Sequence, residues 1–141
     1  MSTDLIRTGA KRGWGYVRVS SAEQFEHVSS IVAQCSYIIS VADRKGIDLG
    51  APRLMPVAAN DGTIVEVEAR ERVIFEAISA YGVEFLQRPM ATQLYDHLQD
   101  GDHLLFAKMD RAFRDTSDTL NSTKRIIGKG VNVYFLDMSD E

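Results

Sequence analysis

Apolar and polar positions along the chain switch between a period near 2 and a period near 3.6, and the switches set out a succession of strands and helices. Gly15-Tyr16-Val17-Arg18-Val19 is short and rich in β-branched and aromatic residues, which predicts a first strand. Ser20 then opens a helical pattern. Glu23, three residues on, completes a capping box, and Val28, Ile31, Val32, Cys35, Ile38, Ile39 and Ala42 follow at helical spacing until Gly46. The stretch from Gly50 to Ala69 is less regular. Arg53 to Ala58 suits a strand, Asn60-Asp61-Gly62 a turn, and Thr63 to Val67 a returning strand. Val73-Ile74-Phe75 fits either a strand leading to a loop at Ser79 to Gly82 or a helix running from Glu68 to Ala80.

Pro89 to Leu98 reads as a helix with proline in its first turn. Asp100-Gly101-Asp102 is a turn, and His103 to Ala107 is nearly continuous in its apolar character, as a buried central strand would be. Asp115-Thr116-Ser117-Asp118 has capping character and predicts a helix to about Ile127, ended by Gly128 or Gly130. Val131 to Leu136 is a last strand. Alternating strands and helices imply an α/β fold: a mostly parallel central sheet flanked by helices in three layers. Residues 1–13 read as a flexible leader and residues 14–141 as one domain.

Composition narrows the function classes. The 141 residues carry a net charge of −4, whereas a compact DNA-reading module usually has a basic excess. A complete sequence-specific DNA binder is therefore not expected, although a local arginine cluster can still hold a phosphate. A single cysteine, Cys35, excludes an internal disulfide or a cysteine-based metal site and suits a reduced cytoplasmic setting. No apolar run is long enough to cross a membrane. His27, His97 and His103 are scattered, so no metal site is expected.

Two clusters carry candidate chemistry. Arg18 and Ser20 are two apart at the end of the first strand, so guanidinium and hydroxyl emerge on one side of the sheet's C-terminal edge. Arg111 and Arg114, after Asp110 at the end of another strand, share a face if one helical turn follows. Several arginines around one hydroxyl suit phosphoryl transfer, because the guanidinium fork fits a phosphate and stays charged. The hydroxyl needs activation, and the sequence does not reveal its base.

Tyr16-Val17-Arg18-Val19-Ser20 with Gln24 resembles the Y-x-R-V-S-x-x-x-Q opening of the serine recombinases, the resolvase/invertase family. Gln34 falls where that family often has a second glutamine, and Glu76 to Tyr81 resembles its D-x-x-S-A/G loop. Arg88-Pro89 matches its R-P pair, and Lys108 to Asp115 looks like K-L-D-R-L-x-R-D. Gly130 to Asp137 resembles its closing strand, so the likeness runs from about Gly15 to Asp137. The resemblance implies Ser20 as nucleophile, with Arg18, Arg88, Arg111 and Arg114 holding the scissile phosphate. Asp110 would orient an arginine or assist proton transfer, with Gln24, Gln34 and Glu76 in support. It further implies a 5'-phosphoserine link to DNA, religation after strand exchange, no cofactor, and homodimers that pair into tetramers.

Three departures stand beside it. Glu76 replaces the family aspartate, the segment 50–69 is extra, and no dimer helix or helix-turn-helix follows the last strand, so the DNA-binding region is expected to lie elsewhere. The plainer readings make Ser20 a helix cap, the Arg111 and Arg114 pair a salt-bridged face, and Cys35 and Trp14 packing residues. The alternative function is a catalytically inactive recombinase-like association module. An unrelated phosphate-binding α/β domain ranks last, since no glycine-rich loop follows the first strand.

Overall fold

The computed structural model describes residues 11–19, 28–59, 61–77, 83–107 and 113–136. Strand β1 (Lys11–Val19) runs through the centre of the sheet. It is followed by helix α1 (Val28–Lys45), a short β2 (Ile47–Asp48), the strands β3 (Pro52–Ala58) and β4 (Ile64–Arg70), and β5 (Val73–Ala77). A 3-10 turn at Phe85–Gln87 leads into α2 (Pro89–His97); β6 (His103–Phe106), α3 (Thr116–Gly128) and β7 (Asn132–Phe135) complete the order.

Gly15 and Tyr16 pair with Val73 and Ile74 of β5 and also with Leu105 and Phe106 of β6. The two strands therefore lie on opposite edges of β1. β7 continues beyond β6, β2 runs beside Lys11 and Arg12, and every ladder in this sheet is parallel. The strand starts earlier than its pattern suggested. Residues 11–13, read as leader, belong to β1 because Lys11 pairs with Ile47 and Gly13 with His103.

Alternation along the strands divides the interior in two. Val17, Val19, Val73 and Leu105 face α1 and the inner side of the β3–β4 pair, where Ile31, Cys35, Ile38, Met55 and Val67 are buried. Trp14, Tyr16, Leu104 and Phe106 face the other way, against Phe85, Leu94, Phe113 and Ile126 from the 3-10 turn, α2, the segment before α3, and α3. The molecule is thus a three-layer α/β fold. Val32, expected on the apolar face of α1, is exposed, and Gln34 is buried instead. Gln34 shares the buried stripe of Ile31, Cys35, Ile38, Val41 and Ala42, and its side chain bonds the main chain of β1 at Arg18.

The segment 50–69 is accounted for as an antiparallel pair, β3 with β4, in one unbroken register from Pro52↔Arg70 to Ala58↔Ile64. Val73 to Ala77 is a strand, so the helical option there fails: its residues are committed to the β1 ladder. Arg53 joins the pair to the main sheet through bonds from Nε to the Arg70 carbonyl (3.1 Å) and from Nη2 to the Val73 carbonyl (3.0 Å). The expected helix start at Ser20 to Glu23, Asn60 of the turn and the loop at Ser79 to Gly82 lie outside the described residues.

Candidate active site

The site lies at the C-terminal edge of the parallel strands, on the face covered by α2 and α3. Arg18 and Glu76 are register partners on adjacent strands, both buried. Tyr16, two residues before Arg18, points to the same side. Its hydroxyl donates to Glu76 Oε1 at 2.9 Å and accepts from Arg88 Nη1 at 3.0 Å. The second oxygen of Glu76 accepts from the Met90 amide in the first turn of α2 at 2.9 Å. A carboxylate at that position is favoured by the partial positive charge of the helix start.

Arg88 is fully buried, at 0% exposure, which an isolated guanidinium could not sustain. Its Nε donates to the Val83 carbonyl at 3.2 Å, and its guanidinium lies 5.6 Å from the centre of the Phe85 ring. Tyr16 thus stands between a cation and an anion. Burial raises its pKa far above the ordinary phenol value; Arg88 pulls it down and Glu76 pushes it further up. The phenol stays protonated and can keep donating to Glu76.

Gln34 reaches across from the opposite layer. Its Nε2 lies 3.3 Å from the Arg18 carbonyl and 3.3 Å from Ser30 Oγ, which fixes the last turn of chain before β1 ends. Arg114 sits nearby but is engaged: Nη2 meets Glu84 Oε2 at 3.1 Å and Nε meets Asp115 Oδ2 at 3.3 Å. Both partners are partly exposed, so these ion pairs are worth about 0–1 kcal/mol each and are readily given up to a competing anion.

The structure therefore brings Arg18, Glu76 and Arg88 together at one strand edge, with Gln34 behind them. Ser20, Gln24, Asp110 and Arg111 lie outside the described residues. Sequence reasoning did not assign Tyr16 its role as the bridge between Glu76 and Arg88, although its parity with Arg18 signals a shared face. Glu84 as the partner of Arg114 had no sequence signal, since the two are 30 residues apart. Among the described residues, no group of three or more histidine, cysteine, aspartate or glutamate side chains is placed to hold a metal ion. No helix among them is long and apolar enough to cross a membrane.

A mostly parallel α/β sheet with an arginine and carboxylate cluster at its C-terminal edge defines the class of protein. Residues 58–141 match the family described as "Resolvase, N terminal domain". The chain belongs to that family, and membership supports DNA recombination as the general activity. The matched stretch contains Glu76, Arg88, Asp110, Arg111 and Arg114, whereas Arg18 and Ser20 precede it. Among solved structures, the chain is similar to the C-terminal catalytic domain of ISC1926 TnpA, an IS607-like serine recombinase. The TM-score is 0.63 at 18% identity, covering 92% of this chain and 72% of that one, a likeness of fold. No curated protein matches the chain.

Proposed function

We propose that this chain is the catalytic domain of a serine recombinase, in which Ser20 attacks a DNA phosphodiester and forms a 5'-phosphoserine link. The observation that carries the reading is the buried junction of Tyr16, Glu76 and Arg88 beside Arg18, at the strand edge from which the chain continues into Ser20. Such a junction holds an arginine in one orientation before substrate arrives, and prepaid orientation is what a phosphoryl transition state rewards.

In this reading Arg18 and Arg88 hold the non-bridging oxygens of the phosphate, and DNA binding uncovers the Arg88 guanidinium, which is fully buried in the free protein. Arg114 exchanges Glu84 and Asp115 for the same group, and Arg111 joins it from the adjoining segment. Asp110 orients an arginine or takes part in proton transfer, and Gln24 supports the site. Attack by the Ser20 oxygen forms the serine–phosphorus bond and releases the 3'-oxygen as a hydroxyl. Religation reverses the exchange, so one phosphodiester replaces another and no ATP or other cofactor is consumed. The acidic net charge of −4 is in keeping with a reading in which most of the grip on DNA comes from elsewhere in the recombinase assembly. Dimers that pair into tetramers supply the second pair of strands.

The test is covalent attachment. The intact protein containing this chain is incubated with a supercoiled plasmid carrying the DNA that flanks its own gene, then denatured and run on a gel. A protein–DNA adduct that disappears in Ser20→Ala supports the assignment; an adduct that survives the substitution overturns it.

A further inference from the structure

Asp118 lies in the first turn of α3, and its carboxylate is almost fully buried, at 3% exposure. The helix does not need it as a cap: Asp115 already fills that role, accepting from the Asp118 amide at 2.8 Å. Asp118 instead turns outward from its own helix. Its two oxygens accept from the Phe85 amide at 3.2 and 3.0 Å, and Oδ2 also accepts from the Arg114 amide at 2.7 Å. Ser122, one turn on, donates its hydroxyl to Oδ1 at 2.9 Å and holds the carboxylate in that rotamer.

Both amides belong to segments that end in a site arginine. Phe85 opens the 3-10 turn, and the Arg88 amide closes that turn on the Phe85 carbonyl at 3.1 Å. Arg88 in turn starts α2, its carbonyl accepting from Thr92 at 2.8 Å. Phe85 therefore cannot shift without carrying Arg88 along. On the other side the bonded amide is that of Arg114 itself. The contact spans 33 residues of sequence between Asp118 and Phe85, so no local rule of helix ends accounts for it. A buried charged acceptor with three donors is among the stronger hydrogen-bonded arrangements available, because each bond is charge-assisted.

We infer that Asp118 is a positioning residue, which sets the separation of the Arg88 and Arg114 segments and so the width of the phosphate cradle. The inference rests on reading Arg88 and Arg114 as phosphate-holding groups. Asp118 touches no substrate and acts through two main-chain amides. The exposed Arg114–Glu84 ion pair bridges the same segments, but phosphate competes for it, whereas the Asp118 clamp stays closed throughout the reaction.

The test compares three forms of the intact protein: wild type, Asp118→Asn and Ile126→Val. Asparagine is nearly isosteric, but its amide nitrogen presents donors where Oδ2 or Oδ1 had accepted. Ile126 is buried in the same helix, so its truncation loosens the core and leaves both hydrogen bonds intact. Two readouts are taken: the rate of covalent adduct formation at saturating plasmid, and amide hydrogen exchange at Phe85 and Arg114.

Asp118→Asn is expected to slow adduct formation about 10- to 100-fold, with plasmid affinity changed less than about 3-fold, as misplacement of positioned groups does. Exchange at both amides should quicken together, beyond any change in Ile126→Val at matched melting temperature. An adduct rate within about 3-fold of wild type, or an equal loss in Ile126→Val, overturns the inference. If wild type forms no adduct, the proposed function fails, and the exchange readout separately decides whether Asp118 clamps the two segments.

Discussion

Tyr16 Oη and Glu76 Oε1 stand 2.9 Å apart on the α2 side of the sheet, and the same hydroxyl accepts from Arg88. Tyr16→Phe keeps the ring against Phe85 and Phe106 but removes the hydroxyl that bonds both Glu76 and Arg88 in the interior. Loss of buried hydrogen bonds to charged groups costs about 1–3 kcal/mol. The urea midpoint should fall accordingly with an unchanged slope. A midpoint equal to wild type would mean that the hydroxyl is not the bridge between Glu76 and Arg88.

Arg88→Lys tests the fork rather than the charge. Lysine remains cationic but cannot reach Tyr16 Oη and the Val83 carbonyl together, nor present a planar pair of donors to a phosphate. Adduct formation should fall on the order of 100-fold, the scale of losing one preorganised donor. Full activity in the lysine variant would reduce Arg88 to a structural residue.

Gly15 explains how α1 lies so close to β1. A Cβ there would meet Ile38 Cγ2 at 2.8 Å and Val73 Cγ2 at 3.5 Å. Gly15→Ala overpacks the first core, and a loss of about 1–3 kcal/mol is expected in chemical denaturation. In an Ile38→Ala background, which removes the clashing Cγ2, the added cost of Gly15→Ala should shrink. An undiminished cost there would show that the strain lies elsewhere.

Cys35 gives the protein an alkaline weakness. Burial pushes its thiol up from 9.0 to about 11, with Arg53 pulling weakly the other way. A raised folded-state pKa means that the stabilisation is complete below the unfolded value and is lost as pH rises through the folded one. Between about pH 9 and about pH 11 stability should fall by up to about 1.4 kcal/mol per pH unit from this group alone. Cys35→Ala should flatten that slope, measured as unfolding free energy against pH. An identical slope in the variant would rule the thiol out.

The succession of elements was legible in the sequence because the long segments had clear periods. Pro89 to His97 and Thr116 to Gly128 carry their own start signals, and His103 to Phe106 is apolar on both sides because both faces of β6 are covered. Val73 to Ala77 could not be assigned by pattern, since five mostly apolar residues fit a strand or a helix equally; the ladder to β1 decides it. Val32 is exposed although apolar because the buried stripe of α1 runs through Ile31, Gln34, Cys35, Ile38, Val41 and Ala42; Gln34 lies on that stripe and its side chain bonds the Arg18 carbonyl. The chemistry was legible only as separate motifs. Arg18 and Glu76 are neighbours through parallel pairing of β1 with β5, and the joint role of Tyr16, Glu76 and Arg88 depends on contacts spanning 60 and 72 residues. The bonds of Asp118 to Phe85 likewise leave no local pattern.

The most direct measurement is the identity of the residue that carries DNA. The adduct is trapped, digested with nuclease and trypsin, and the peptide that begins at Val19 is sequenced by mass spectrometry. The account predicts a nucleotide remnant on Ser20, with Ser21 unmodified. A remnant on Ser21 or on any other residue would contradict it.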